Sequence, residues 1–280
     1  MSGPLLHAQG IGLGYQQDQV WHTVLEHFDL QLQPGEVVSI LGPSGVGKSS
    51  LLRVLAGLQQ PHRGSVSLLG EPLNGPHPRV AVAFQDPSLL PWLSLENNVA
   101  FGLDFARQPN LSHAERKARI DDAISSVGLQ HARQLHPAQL SGGMAQRTAL
   151  ARCLAREPQV LLLDEPFGAL DEVTRADMQQ LLLDVIAEHN TAVVLITHDI
   201  DEALLLSERI LLLGNSPART LGEWCIDLPR PRAELVDELG ALRIDILKTL
   251  RRASRNPLSQ PLPESSEIDH VPRRLHPHTS

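Results

Sequence analysis

Glu36-Val37-Val38-Ser39-Ile40-Leu41-Gly42-Pro43-Ser44-Gly45-Val46-Gly47-Lys48-Ser49 is the stretch on which the fold turns. Its first six residues form a short apolar run with β-branched side chains, which reads as a buried strand. The next eight fit G-x-x-x-x-G-K-[ST], the Walker A phosphate loop. From Lys48 to Gly57 the apolar residues recur at helical spacing, and Gly57 falls where a helix C-cap belongs. Glycines let backbone N–H groups come close to phosphate oxygens. Lys48 then reaches the β- and γ-phosphates, and the Ser49 hydroxyl, with Ser50 behind it, faces a Mg²⁺ ion. A glycine-rich turn without a ligand is the bland alternative, and the flanking strand and helix weigh against it.

A second anion-holding element lies further on. Leu140-Ser141-Gly142-Gly143-Met144-Ala145-Gln146-Arg147 opens a helix with a hydroxyl, free N–H groups and the positive end of the helix dipole. An ordinary serine N-cap is the other reading, and both can hold at once. Val160-Leu161-Leu162-Leu163-Asp164-Glu165-Pro166 follows, a buried strand ending in two carboxylates. Such strands end at the ligand crevice of an α/β sheet. Asp164 at that edge can hold Mg²⁺, and Glu165 can orient and partly deprotonate a water; an acidic strand cap is the alternative. His198 follows the strand at 192–196 and reaches the same crevice. Tyr15, the chain's one tyrosine, either stacks on a purine or packs on the core. Two phosphate-grasping helix ends in one chain suggest a nucleotide clamped between two copies of it.

Periodicity sets the organisation. Residues 5–13, 24–33, 64–69 and 79–84 read as strands, and 95–105, 112–127 and 141–156 as helices. Strand and helix then alternate over 160–164, 172–188, 192–196, 199–206 and 208–213, which implies a mostly parallel sheet with helices on both faces. The fold class is α/β: a P-loop NTPase core, an antiparallel β subdomain from the N-terminal strands and an inserted α-helical subdomain at about 88–157. The cassette spans 5–232, and an amphipathic helical extension occupies 233–255. Residues 256–280 turn to Pro, Ser, Glu and His, the composition of a disordered tail.

Composition excludes some classes. The formal net charge is −8, which opposes a broad nucleic-acid surface, because duplex binding neutralises phosphates with Lys and Arg. No apolar run approaches the roughly 18–20 residues that span a bilayer. The start lacks the basic-then-apolar pattern of a signal peptide. Cys153 and Cys225 read as small apolar residues, in keeping with a reducing compartment. The thirteen histidines are scattered, without metal-ligand spacing beside a third ligand.

With these motifs in family order, the chain resembles the ATP-binding subunits of ABC transporters over about residues 5–250. The resemblance makes Gln85 the Q-loop glutamine, a ligand to Mg²⁺ or water, Ala169-Leu170-Asp171 the D-loop at a dimer seam, and His198 the switch histidine. It puts adenine on Tyr15 and places Ser141, Gly142 and Gly143 on the γ-phosphate held by a second copy. Catalysis is implied at Glu165, His198, Gln85 and Lys48, with Ser49, Gln85 and Asp164 as metal ligands. The family usually has Gln at the fifth signature position, where this chain has Met144. Gln85-Asp86-Pro87-Ser88-Leu89-Leu90-Pro91-Trp92, Asp164 to Asp171 and Leu228-Pro229-Arg230-Pro231-Arg232 look like the nitrate, sulfonate and taurine import group, which includes importers of thiamine precursors. The implied partners are a second copy, membrane permease subunits that the 91–93 patch docks, and indirectly a periplasmic solute-binding protein. Local packing is the alternative for Trp92. The implied location is the cytoplasmic face of the bacterial inner membrane, and no nucleic acid is implied. An exporter ATPase shares the catalytic motifs. Chromosome-maintenance ATPases place a coiled coil between the Walker motifs, and translation factors carry two cassettes; neither pattern is present.

Overall fold

The computed structural model describes residues 3–255, apart from 104, 106 and 169; the expected tail at 256–280 lies outside them. In chain order the elements are β1 (Leu6–Gln17), β2 (Val20–Leu32), β3 (Val37–Leu41), α1 (Lys48–Leu55), β4 (Arg63–Leu68), β5 (Glu71–Pro72) and β6 (Val80–Ala83). The helical insert follows as α2 (Leu95–Ala100), α3 (His113–Ser126) and α4 (Gly142–Leu154). The chain then runs through β7 (Val160–Asp164), α5 (Glu172–His189), β8 (Ala192–Thr197), α6 (Ile200–Leu206), β9 (Arg209–Gly214), β10 (Arg219–Cys225) and α7 (Val236–Arg255).

Two sheets result. One is antiparallel, in the order β2-β1-β4-β5; the other runs β10-β9-β3-β8-β7-β6, parallel except for β10 at its edge. The order puts β3, β8 and β7 side by side. Their C-terminal ends therefore bring the phosphate loop, His198 and the Asp164-Glu165 pair to one edge, as expected for ligand sites in such sheets.

The uninterrupted apolar runs of these strands divide by side-chain period. Val160 and Leu162, with Ala192, Val194 and Ile196, pack toward α1 and the antiparallel sheet. Leu161 and Leu163, with Val193 and Leu195, pack toward α4 and α5. A third cluster holds Leu204 of α6, Ile210 and Leu212 of β9, and Leu242 and Ile246 of α7. Burial on both faces is why these strands do not alternate in sequence.

Two local expectations need correction, and one open alternative is decided. The N-terminal strands are longer than the alternation suggests: Asp18 and Gln19 both take positive φ (49° and 65°) and close a tight hairpin without the usual Asn-Gly. The helix at 95–105 stops at Ala100, because Phe101 is extended and Gly102 adopts φ 97°. Trp92 is not packed locally: its side chain is 70% exposed. Asn98, fully buried, holds that loop by accepting from the Leu90 N–H at 2.8 Å and donating to the Leu90, Leu93 and Ser94 carbonyls at 3.1 Å.

Candidate nucleotide site

The phosphate loop leaves β3 and enters α1 through two left-handed glycines, Gly45 at φ 80° and Gly47 at φ 101°. A Cβ at Gly47 would stand 2.7 Å from Val24 Cγ1, and one at Gly42 would stand 2.9 Å from the Leu213 carbonyl. Glycine is therefore favoured at Gly47 by backbone angle and space together, at Gly45 by angle and at Gly42 by space. Lys48 is buried, and its Nζ donates to the carbonyls of Gly42 at 2.8 Å and Pro43 at 3.0 Å. The ammonium thus sits inside the loop's own ring, where phosphate oxygens would replace those carbonyls. Burial lowers its pKa, opposed by Glu165 and Asp164.

Asp164 ends β7, buried, with the Ser49 hydroxyl hydrogen-bonded to its carboxylate. Burial raises its pKa; the Ser49 bond and Lys48 work the other way, while Glu165 adds to the rise. A buried carboxylate beside a hydroxyl is the hard-oxygen donor set that suits Mg²⁺. The two residues therefore fit the ion expected from the sequence.

Glu165 takes φ 46°, an uncommon backbone for a non-glycine residue, and its N–H donates to the Ile196 carbonyl at 2.9 Å. That bond fixes the turn against β8. It brings Glu165 Oε2 within 3.2 Å of Nδ1 of His198, whose side chain is 59% exposed. An imidazole that donates to a carboxylate through Nδ1 can donate to a second acceptor through Nε2 only as the imidazolium, since the neutral ring has a single N–H.

Tyr15 is 53% exposed, so it is not a core aromatic. It stacks on His22 with centroids 5.4 Å apart, and a cleft joins it to Pro43, Ser44, Gly45 and Val46. Gln85 is exposed just beyond β6.

Ser141, Gly142 and Gly143 are brought to a different place. Ser141 is the exposed N-cap of α4 and accepts from the Met144 N–H at 3.2 Å. None of the three lines the cleft beside Tyr15. The fifth signature position contributes its backbone to this cap, so the turn forms with Met as with Gln. Asp171 N-caps α5, taking the Thr174 N–H at 3.0 Å and the Thr174 hydroxyl at 2.7 Å, and these bonds lower its pKa.

Residue-by-residue reading missed Gln146. It is buried on α4 and donates to the Gln85 carbonyl at 3.2 Å and the Pro166 carbonyl at 2.9 Å. One amide thus ties the signature helix to both carboxylate-side loops. A glutamine at a position facing the core was the available signal. Arg152 adds to the tie by donating to the Pro87 and Ser88 carbonyls. Cys153, with its thiol pKa pushed up to about 11 by burial, is a core residue, as read.

A phosphate loop, a carboxylate pair and a signature turn on a parallel sheet define an ATP-binding cassette. The ABC transporter family profile matches residues 25–168, and the chain belongs to that family. It is 48% identical over 232 residues to the aliphatic sulfonates import ATP-binding protein SsuB 2 of Burkholderia lata, covering 82% of each chain. It is 42% identical over 238 residues to the nitrate transport protein NasD of Klebsiella oxytoca, covering 84% of this chain and 91% of that one. The dimeric post-hydrolysis structure of the ATP-binding cassette MJ0796, bound to ADP and Pi, superposes with a TM-score of 0.70 at 31% identity. It covers 80% of this chain and all of that one. Among the described residues no helix is long and apolar enough to cross a membrane.

Proposed function

We propose that this chain is the ATP-hydrolysing subunit of a membrane importer of small solutes, working as a two-site dimer on permease subunits that a periplasmic solute-binding protein supplies. The 3.2 Å pair of Glu165 and His198 beside the Lys48, Ser49 and Asp164 cradle carries the reading. Both halves of a composite site exist in the chain, yet the Ser141 turn is not in its own cleft. A second copy would bring its Ser141, Gly142 and Gly143 to the γ-phosphate.

In this mechanism Tyr15 stacks on adenine, and the N–H groups of Ser44 to Ser50, with Gly42 and Pro43 shaping the loop, hold the phosphates together with Lys48. Ser49 and Asp164, with Gln85 at the loop beside them, would hold Mg²⁺, which supplies charge neutralisation on the phosphates. Glu165 orients the attacking water and accepts its proton. His198 fixes the Glu165 carboxylate through Nδ1 and, as the imidazolium, donates its Nε2–H to the γ-phosphate. Asp171 shapes the seam. The relatives named for import of aliphatic sulfonates and of nitrate favour import over export and a small anion as cargo. Trp92 on its pinned loop faces outward, suited to a permease contact at the cytoplasmic face of the inner membrane.

Glu165→Gln is the test. It keeps the shape, removes the base and relieves charge repulsion near the γ-phosphate. ATP turnover should fall about 10²–10⁴-fold, as for loss of a general base, while ATP binding persists. With ATP and Mg²⁺ the variant should elute as a dimer on size exclusion, and adding Ser141→Arg should return it to monomer. Near-normal turnover in Glu165→Gln would remove it from the catalytic role.

A further inference from the structure

Arg175 stands in the first turn of α5, at the positive end of the helix dipole, where a cation is unfavourable. Its side chain turns away from the helix. Nη2 donates to the Leu170 carbonyl at 3.1 Å, and Nη1 lies 3.9 Å from Oδ2 of Asp199. The guanidinium therefore spans two segments: the one ending at Asp171 and the one just after His198.

Asp199 is itself committed. Its carboxylate caps α6 by accepting from the Asp201 N–H at 2.9 Å and the Glu202 N–H at 3.2 Å, and its own N–H donates to Thr197 Oγ1 at 3.0 Å. Glu202, buried under this turn, also hydrogen-bonds Thr197. His198 thus hangs between two pinned residues. Among the described residues, the buried Nε of Arg175 and Oε1 of Glu202 both lack a hydrogen-bond partner. A donor and an acceptor are left over in the same cluster.

We propose that Arg175 is a positioning residue for ATP hydrolysis: it couples the Leu170–Asp171 segment to Asp199, and so sets where His198 stands against Glu165. The ion pair to Asp199 is long and about a third exposed, and such pairs contribute little to stability. Its value lies in geometry. A guanidinium has the planar fork to reach both segments, and a lysine does not. The inference rests on the catalytic reading of Glu165 and His198 above.

The test is a double-mutant cycle in steady-state ATPase assays of the full chain, with Arg175→Ala, His198→Ala and the double variant. Arg175→Ala should lower kcat by about tenfold with KM for ATP within about twofold, the pattern of an interaction made in the transition state. Arg175→Lys should recover only part of that loss. In the His198→Ala background, Arg175→Ala should cost less than about twofold more, because residues acting through one another are not additive. Full additivity, or a raised KM at unchanged kcat, would overturn the proposal. Should Arg175→Ala fail to fold, the same cycle run with Arg175→Lys decides it by the same criterion. Glu165→Gln separates the two readings: if it hydrolyses ATP like the wild type, the catalytic assignment falls. If it is inactive while the cycle is additive, only the role of Arg175 falls.

Discussion

Glu202 illustrates what a single buried group does. Burial pushes its pKa up to about 7, with Thr197 and Arg175 opposing and Asp199 and Glu165 reinforcing the rise. An acid whose folded-state pKa lies above its unfolded value stabilises the fold at low pH and loses that contribution as pH rises through the folded value. The window here runs from the ordinary carboxylate value of 4.5 to about 7. Glu202→Gln keeps the shape without the ionisation. The melting temperature of the wild type should therefore fall, relative to that of Glu202→Gln, as pH rises from 4.5 to about 7. Parallel pH dependences would show that Glu202 does not titrate in that range. Tyr15, Lys48, Ser49, Asp164 and Glu165 were legible as candidates because motif chemistry lies in neighbouring residues. Arg175 and Glu202 were not, since their meaning comes from partners on other elements.

The element that most repays attention is α6, which begins beside His198. Its C-terminal end is held by the Leu228 to Arg232 stretch. Arg232 is buried, 4% exposed, and donates to the carbonyls of Leu204, Ser207, Ile226 and Leu228. Arg230 donates to the Leu206 carbonyl and pairs with Glu208 at 2.8 Å. Two guanidinium groups thus satisfy carbonyls that a helix end leaves unpaired. Arg243 of α7 adds a bond to Asp201 at 2.7 Å. The motif that resembled the import group is therefore a clamp on α6. Removing Arg232 strands several buried acceptors. Arg232→Ala should destabilise by about 2–4 kcal/mol and lower the melting temperature by several degrees in a thermal scan. A shift smaller than about 2 °C, below what even 1 kcal/mol gives in a chain of this size, would mean water replaces the guanidinium.

At the scale of the whole molecule, the nucleotide edge and the loop that carries Trp92 are joined through α4. Gln146 and Arg152 bond the Gln85, Pro87 and Ser88 carbonyls that lead into Trp92's loop and the Pro166 carbonyl behind Walker B. A displacement of Trp92's loop therefore has a direct route to the Ser141 turn, which is the coupling an importer needs. In the proposed importer the cargo would be read by the other subunits. Deleting the gene should impair growth on an alkanesulfonate as sole sulfur source or nitrate as sole nitrogen source. Loss of drug resistance, with growth on both solutes intact, would instead point to export.

By itself the amino-acid sequence determined the phosphate loop, the carboxylate pair, the signature turn and the alternation that implies a parallel sheet. Each is written within a few neighbouring residues, where backbone and side-chain chemistry are local. Only the tertiary structure decided which face each apolar run covers, that His198 meets Glu165, and that Arg175 reaches Asp199. Those contacts depend on β7 and β8 lying side by side and on where α5 and α6 begin. Strand order is set by packing between segments distant in sequence, and local periodicity carries no record of it.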